Sequence, residues 1–329
     1  ACAGLVYAVL SALVRAFGAE KVMRFFPPIV TGPIIIAIGL NLSASAINNC
    51  SGNWWIAIAA ILIIVAANIW GRGMVKIIPI LLGVVGSYLL AVAIDPEIRA
   101  TLVKNVSEAA LFALPVKMDQ TVFGLFARGN VDRDLLLTSV ITIVPLSLAT
   151  MVEHIGDVSA ISSTTGRNFI EDPGLHRTLL GDGVGSIVGA IFGGCPNTTY
   201  GESVGCVAIT GNASVSTIGL TAIMAILLSF FTPFVAFVNT IPSCVVGGIC
   251  IALYGFIAVS GLKMLHEVDL GESENLFVVS AILVTGIGGL SLNFGGVVEI
   301  PNIATALIIG VLTKLIVGKV KSNKSAGKN

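Results

Sequence analysis

Long apolar stretches recur along almost the whole chain, and they constrain its fold more than any other feature of the sequence. A helix that crosses about 30 Å of hydrocarbon needs about 20 consecutive apolar residues. Stretches of this length, or nearly so, lie at about 2–14, 27–47, 54–70, 75–94, 135–161, 178–194, 212–238, 243–262, 275–292 and 300–318. Only 11% of the 329 residues are charged, whereas soluble domains average about 25%. The sequence therefore predicts an all-α polytopic membrane protein embedded in a lipid bilayer.

An eleventh segment, residues 197–210, is too short and too polar to be an ordinary membrane helix, yet it lies directly between two apolar stretches. Irregular backbone at membrane depth is tolerated only where protein or a water-filled cavity satisfies its polar groups. Polar and β-branched residues open this segment, and Gly201 and Gly205 flank Glu202. The pattern favours a short strand that leads into a half-helix. We call residues 197–210 the broken segment and expect it to line a binding site.

Acidic residues inside the membrane are the strongest sign of function in this sequence. Of the eighteen acidic residues, fifteen fall in loops or at the ends of the apolar stretches, and three do not: Glu153, Asp157 and Glu202. Each costs roughly 2.5–3.5 kcal/mol on membrane-insertion scales, so an acid at this depth indicates a functional site. Glu153 and Asp157 are four residues apart and share one helix face.

Two carboxylates on one helix face repel each other unless a proton, a cation or a ligand with N–H donors neutralises them. Proton coupling through Glu153 and Asp157 is therefore our hypothesis for this face. His154 lies next to Glu153 in the chain. A histidine in this position is either a packing residue or a proton relay.

Several classes of function are disfavoured by what the sequence lacks. Net charge is zero and no basic patch is present, so a nucleic-acid partner is not expected. No phosphate-binding loop, metal-ligand cluster or nucleophile motif appears, so we expect neither an enzyme nor a bound metal or cofactor. Gly185, Gly189 and Gly193 recur every four residues and predict close helix packing. The six cysteines contain no Cys-x-x-Cys pair and are interpreted as free thiols.

Basic residues collect on one side of the predicted membrane segments. Thirteen of the eighteen Lys and Arg residues fall on that side, and the other five fall in the long connection 95–134. The connections on the opposite side contain none: 43–53, 194–197, 232–242 and 291–300. By the positive-inside rule, the C-terminus is expected to be cytoplasmic. Within the long connection, residues 107–116 form either an interfacial amphipathic helix or a solvated connector.

Four short motifs together resemble a known family of transporters. They are FPPIVTG at 26–32, EHIG at 153–156, EDPGLHR at 171–177 and NTTYGESVGCVAITG at 197–211. On these residues the chain resembles the nucleobase/ascorbate transporter family, and within it the uracil permease branch. The resemblance covers nearly the whole chain. It implies a fold of fourteen membrane segments in two inverted repeats of seven, of which this chain would contain about eleven.

The resemblance also implies how the chain is divided. In chain order, 1–17 would be the last helix of the first core repeat, 18–94 the gate helices of the first repeat, 95–134 an extracytoplasmic connector, 135–238 the second core repeat with the broken segment, 239–320 the gate helices of the second repeat, and 321–329 a cytoplasmic tail. A multi-pass location in the plasma or inner membrane follows from this resemblance, and a homodimer is compatible with it.

The family resemblance assigns roles to individual residues of the predicted site. Glu153 and Glu202 match the two carboxylates that accept hydrogen bonds from the N–H groups of the nucleobase. Tyr200 and Gly201 match the adjoining strand that shapes the pocket. The residues that match the family signature are Glu202, Ser203, Gly205 and Thr210. Uracil has two N–H donors, which suit buried carboxylate acceptors.

The expected function is the import of uracil by proton symport with alternating access, with Asp157, Glu153 and His154 as the proton-coupling residues. Two positions depart from the uracil permease branch: Asp157 stands where that branch has His, and Ser203 stands where the signature usually has Asn. A xanthine or urate symporter therefore stays open as the alternative, and Na⁺ is the alternative coupling ion. A membrane-embedded enzyme or a receptor is the remote alternative.

Overall fold

The computed structural model describes residues 1–24, 27–127, 129, 133–266, 268–294 and 298–326, and most of them are helical. In chain order the α-helices are α1 Cys2–Phe17, α2 Ala19–Met23, α3 Pro28–Cys50, α4 Trp54–Ile69, α5 Met74–Ile77, α6 Pro79–Ile94, α7 Pro96–Glu108, α8 Val122–Ala127, α9 Arg133–Thr165, α10 Leu175–Ile191, α11 Glu202–Thr210, α12 Val215–Phe230, α13 Thr232–Asn239, α14 Ser243–Leu265, α15 Ser273–Ile287 and α16 Asn302–Ala326. Each of the ten predicted apolar stretches overlaps one or two of these helices.

Helix length and composition support the predicted membrane architecture. Three of the described helices, α3, α9 and α14, are long and apolar enough to span a membrane by themselves. The pair α6 and α7 adds a fourth span if the two helices, which bend by 110°, count as one. Shorter apolar helices are α1, α4, α12, α15 and the apolar part of α16. The prediction of an all-α polytopic membrane protein is therefore confirmed.

Local chemistry explains where several helices begin. The side chain of Asn53 accepts hydrogen bonds from the N–H groups of Trp55 and Ile56, at 3.1 and 3.3 Å, and so caps α4. Asp95 caps α7 in the same way, with a bond of 2.8 Å from the N–H of Glu97. Such caps satisfy N–H groups that have no partner within the helix.

The amphipathic helix considered for residues 107–116 is not formed. Helix α7 of this connection ends at Glu108, the next α-helix is α8, and the residues from 109 to 117 are not helical. Asp95 and Pro96 fix the start of α7 well before the predicted position, because Asp caps a helix and Pro suits its first turn. Pro115 disfavours helical backbone at the residue before it.

The chain divides into two compact units. Unit 1 contains Ala1–Asn41, Val116–Val204 and Ile257–Asn329, and unit 2 contains Leu42–Pro115 and Gly205–Phe256. Unit 1 therefore holds α9 and α10, and α11 begins in unit 1 and continues in unit 2.

Among its described residues, unit 1 has two large apolar cores and a small third cluster of Ile36, Leu265 and Val279. The first joins α3, α15 and α16 through the side chains of Val30, Ile34, Val278, Ile282, Ile303 and Leu307. The second joins α1, α9 and α10 through Tyr7, Leu10, Val14, Met151, Val152, Ile155 and Leu179. Helices α1 and α10 approach closely because Gly4 and Gly183 face each other. A Cβ atom added at Gly183 would lie 2.8 Å from the carbonyl oxygen of Gly4.

Unit 2 has one apolar core, formed mainly by α4, α6 and α14. Its buried members are Ile56, Ala60, Ile64, Ala91, Cys244, Val245 and Ile249. Tyr88 of α6 is 1% exposed, and its hydroxyl group hydrogen-bonds to Thr240. The Tyr88 ring also packs edge-on against Phe237, with ring centroids 5.2 Å apart.

A two-stranded antiparallel sheet lies in unit 1 where the sequence predicted only a connection. Strand β1, Leu292–Phe294, pairs with strand β2, Val298–Ile300, with Leu292 opposite Ile300. The strand predicted at the start of the broken segment is not formed, because residues 194–200 have no regular secondary structure. The alternation of apolar and polar residues that indicates a strand cannot be recognised over three residues, so strands this short are not predicted from sequence.

Candidate functional site

Helix α9 carries three of the residues singled out from the sequence. Glu153 and Asp157 are half-buried, and His154 between them is buried with an exposed fraction of 5%. The 33 residues of α9 form one continuous helix, so Glu153 and Asp157 lie one turn apart on the same face. The predicted acidic face is therefore present in the structure.

The broken segment contains the predicted half-helix, but irregular backbone precedes it in place of the predicted strand. Residues 194–200 are irregular, and α11 begins at Glu202 and ends at Thr210. The N–H groups of Ser203 and Val204 donate to the carbonyl groups of Tyr200 and Gly201, at 3.1 and 3.0 Å. These two bonds form the first turn of the half-helix.

The first turn of α11 starts directly against the acidic face of α9. A Cβ atom added at Gly201 would lie 2.7 Å from Oδ1 of Asp157 and 3.2 Å from its Cγ. Only a residue without a side chain allows this approach without displacing the carboxylate. The contact joins two parts of the predicted site that are 44 positions apart in the chain.

The other predicted residues of the broken segment are placed as follows. The backbone of Glu202 begins α11, but its side chain lies outside the described part of the chain. Tyr200 is 56% exposed. The hydroxyl group of Ser203 donates to the carbonyl oxygen of Tyr200, and that of Thr210 donates to the carbonyl oxygen of Cys206 at 2.7 Å. A Cβ atom added at Gly205 would meet no described atom within 4 Å.

His154 takes part in a polar cluster rather than in simple apolar packing. Its Nδ1 atom lies 2.6 Å from Oγ1 of Thr199 and 3.2 Å from Oδ2 of Asp182. Its Nε2 atom lies 3.0 Å from Oγ1 of Thr178. The hydroxyl group of Thr199 also donates to Oδ2 of Asp182 at 3.1 Å. The edge of the His154 ring meets Tyr7, with ring centroids 6.3 Å apart.

A further polar contact ties helix α10 to the start of the broken segment. The hydroxyl group of Ser186 donates to the carbonyl oxygen of Asn197 and accepts from its N–H, each at 3.0 Å. Thr178, Asp182 and Ser186 are each four residues apart on α10, so they lie along one face of that helix. We call these three residues the polar face of α10.

Gly185, Gly189 and Gly193 do not pack against another long helix, which was the prediction from their spacing. Cβ atoms added at Gly185 and Gly189 would lie 3.7 and 3.8 Å from the Asn197 amide nitrogen. At Gly193 the nearest atom would be the carbonyl oxygen of Gln120, at 2.8 Å. Gly185 and Gly189 of α10 therefore face the side chain of Asn197, and Gly193, beyond the end of α10, faces the short 3₁₀ helix Met118–Gln120. None of these partners is a long membrane helix. The spacing of the glycines in the sequence alone does not distinguish these cases.

Asp182 is the residue of this site that the sequence analysis missed. It stands near the beginning of the apolar stretch 178–194, among the acids at the ends of such stretches. Its side chain is 12% exposed. The spacing of Thr178, Asp182 and Ser186 is the available signal, because three polar residues four apart predict a polar helix face.

Among the described residues, no group of three His, Cys, Asp or Glu side chains could hold a metal ion. All six cysteines are free thiols, as predicted.

The fold and the site together define a polytopic membrane protein whose acidic helix face meets a broken helix. The family model described as "Permease family" (Xan_ur_permease) matches residues 1–294. The chain belongs to this permease family, which confirms the predicted resemblance, and it is a transporter rather than an enzyme.

Curated relatives that are also permeases align with almost the whole chain. The chain is 35% identical over 330 residues to the probable uracil permease of Pasteurella multocida (strain Pm70), with 97% of this chain and 75% of the relative aligned. It is 37% identical over 327 residues to the uracil permease of Bacillus caldolyticus, with 95% and 73% aligned. It is 35% identical over 340 residues to the uracil permease of Bacillus subtilis (strain 168), with 98% and 75% aligned.

Proposed function

We propose that this chain is a nucleobase permease that imports uracil across the cell membrane by proton symport. The observation that carries the proposal is the contact between Gly201 and the Asp157 carboxylate. This contact sets the start of α11, where Glu202 stands, against the acidic face of α9. Two of the relatives are named uracil permease and one is named probable uracil permease, and these names support uracil as the substrate.

The chemistry of uracil fits carboxylates in this arrangement. Its two ring N–H groups are donors, and Glu153 and Glu202 are the acceptors in our proposal. Hydrogen bonds to a carboxylate are about twice as strong as those between neutral groups. A base without these donors would leave a desolvated carboxylate without a partner and would be rejected. Tyr200 and Gly201 would shape the pocket beside the ring.

Proton coupling accounts for the repulsion between the two acids on α9. A proton shared by Glu153 and Asp157 would neutralise this face and allow the ligand to bind. The two carboxyl groups would titrate as one coupled unit. Alternating access around a site at the middle of the membrane would then release the proton and uracil on the other side. A cytoplasmic C-terminus, two inverted repeats and a homodimer belong to the same proposal.

Uptake of radiolabelled uracil tests the substrate and the coupling ion together. The chain would be expressed in cells without their own uracil permease, and uptake would be measured at external pH 6 and 8 with and without Na⁺. We expect faster uptake at pH 6, independent of Na⁺, because external protons drive a proton symporter. Uptake of radiolabelled xanthine without uptake of radiolabelled uracil would favour the purine alternative. Uptake that requires Na⁺ and ignores pH would refute proton symport.

Asp157→Asn tests whether this carboxyl group takes part in the coupling. The asparagine amide does not gain or lose a proton at either pH, so we expect the ratio of uptake at pH 6 to uptake at pH 8 to approach one. Glu97→Gln, at an exposed acid of α7, is the matched control and should keep the ratio of the unmodified protein. An unchanged pH profile in Asp157→Asn would remove this residue from the proton pathway.

A further inference from the structure

The polar face of α10 contacts the broken segment at two points, and His154 joins the cluster from α9. Ser186 binds both backbone polar groups of Asn197, and Asp182 accepts from the hydroxyl group of Thr199. These contacts fix both ends of residues 197–199, immediately before the turn that leads into α11. The backbone that precedes Glu202 is therefore held from one side by α10.

Asp182 is the acceptor shared by α9 and the broken segment. Its Oδ2 atom accepts from the Thr199 hydroxyl group at 3.1 Å and lies 3.2 Å from Nδ1 of His154. A carboxylate only accepts hydrogen bonds, so a hydrogen on Nδ1 can also be donated to it. The Thr178 hydroxyl group lies within hydrogen-bond distance of both Nε2 of His154 and the carbonyl oxygen of Leu175, at 3.0 Å each.

The contacts of His154 are all satisfied when Nδ1 carries a hydrogen and donates to Asp182, and Nε2 accepts from the Thr178 hydroxyl group. The other titratable groups around the ring are Tyr7 of α1, which lies at a T-shaped angle to it, and Glu153, its neighbour on α9. A buried carboxylate needs hydrogen-bond donors, and His154 and Thr199 supply them to Asp182.

We propose that His154 and Asp182 form a hydrogen-bonded pair that positions the broken segment through the Thr199 hydroxyl group. The pair does not touch the substrate. It acts through residues 197–200, which lead to Gly201 and to the proposed ligand carboxylate of Glu202. The test by the KM for uracil rests on the proposed function, whereas the test by the rate of Cys195 alkylation does not.

A matched pair of substitutions at one position separates the hydrogen bond from the shape of the side chain. Thr199→Val keeps the shape and loses the hydroxyl group, whereas Thr199→Ser keeps the hydroxyl group. We expect Thr199→Val to raise KM for uracil about tenfold, as for the loss of one hydrogen bond to a charged group. Thr199→Ser should stay within about twofold of the unmodified protein on the same reasoning. Thr164→Val, at an exposed hydroxyl near the end of α9, controls for the loss of a threonine hydroxyl elsewhere.

A double-mutant cycle tests the pairing of His154 with Asp182. Asp182→Asn and His154→Gln should each raise KM, and the combined variant should lose less than the product of the two separate losses, because both remove the same interaction. Losses that multiply would show that the two residues act independently and would overturn the pairing. Equal KM values for Thr199→Val and Thr199→Ser would overturn the role of the hydroxyl group.

A readout without uracil distinguishes failure of this inference from failure of the proposed function. Cys195 is exposed and lies just before the broken segment, so its rate of alkylation by a membrane-permeant maleimide reports how well residues 194–200 are held. In a Cys206→Ala background, we expect Thr199→Val to raise this rate at least about threefold, because one anchoring hydrogen bond is lost. Thr199→Ser should leave it unchanged. If the unmodified protein does not transport uracil, these rates still decide whether the anchor exists, and equal rates would refute it.

Discussion

The polar face of α10 in unit 1 and Gly248 of α14 in unit 2 hold their neighbours by different means. Asp182 and Ser186 hold an irregular segment through directional hydrogen bonds. On α14, Gly248 instead lets the helix approach the backbone of Ala57 so closely that an added Cβ would lie 2.9 Å from the Ala57 Cα. Hydrogen bonds fix the orientation of the broken segment, whereas close contact at a glycine fixes the distance between two helices. Substitutions in the two regions should therefore fail in different ways.

The largest effect is expected from Gly201→Ala, in the turn that precedes α11. The new methyl group would lie 2.7 Å from Oδ1 of Asp157, so either the carboxylate or the turn must move. A displacement of about 1 Å at such a site costs on the order of 100-fold in rate, and we expect uracil uptake to fall by about this factor.

Gly219→Ala is the control for Gly201→Ala, because nothing lies within 4 Å of an added Cβ at position 219 on α12. It should leave uptake unchanged. Both variants should reach the membrane in similar amounts, as measured by immunoblotting. Normal uptake by Gly201→Ala would show that the Asp157 carboxylate can move away without cost to transport.

An intermediate effect on stability is expected from Gly248→Ala on α14. The added methyl group would meet the Cα and carbonyl carbon of Ala57 at 2.9 and 3.0 Å, and backbone atoms cannot rotate away. Overpacking of this kind costs about 1–3 kcal/mol, which should lower the melting temperature in detergent.

Gly255→Ala on the same helix has no neighbour within 4 Å, and its melting temperature should not fall. The KM for uracil should stay the same in both α14 variants, because neither position belongs to the proposed site. A raised KM in Gly248→Ala with an unchanged melting temperature would contradict the division between the two regions.

The smallest effect is expected from Tyr88→Phe in unit 2. Thr240 donates its hydroxyl hydrogen to the carbonyl oxygen of Phe237 at 2.7 Å, so the Tyr88 hydroxyl must be the donor to Thr240. Removing it leaves Thr240 with its other bond and should cost about 1 kcal/mol, measured as a small fall in melting temperature. A fall as large as that of Gly248→Ala would show that a hydrogen bond also controls the packing of unit 2.

Hydropathy and spacing were enough to predict the membrane helices, the half-helix ending at Thr210 and the acidic face of Glu153 and Asp157. Each of these is a property of one continuous stretch. The contacts of His154 required the structure, because its partners Thr178, Asp182 and Thr199 are 24, 28 and 45 positions away in the chain. The hairpin of β1 and β2 was missed for another reason, since strands of three residues carry almost no periodic signal.

The sequence by itself determined that this chain lies in a membrane, that it has a broken helix and that acids stand on one face of α9. These features follow from the cost of placing polar groups in lipid, which acts on each segment separately. Only the tertiary structure decided that Gly201 meets Asp157 and that α10 holds the broken segment through Asp182 and Ser186. Such pairings depend on which helices pack together, and no local pattern in the chain records that choice.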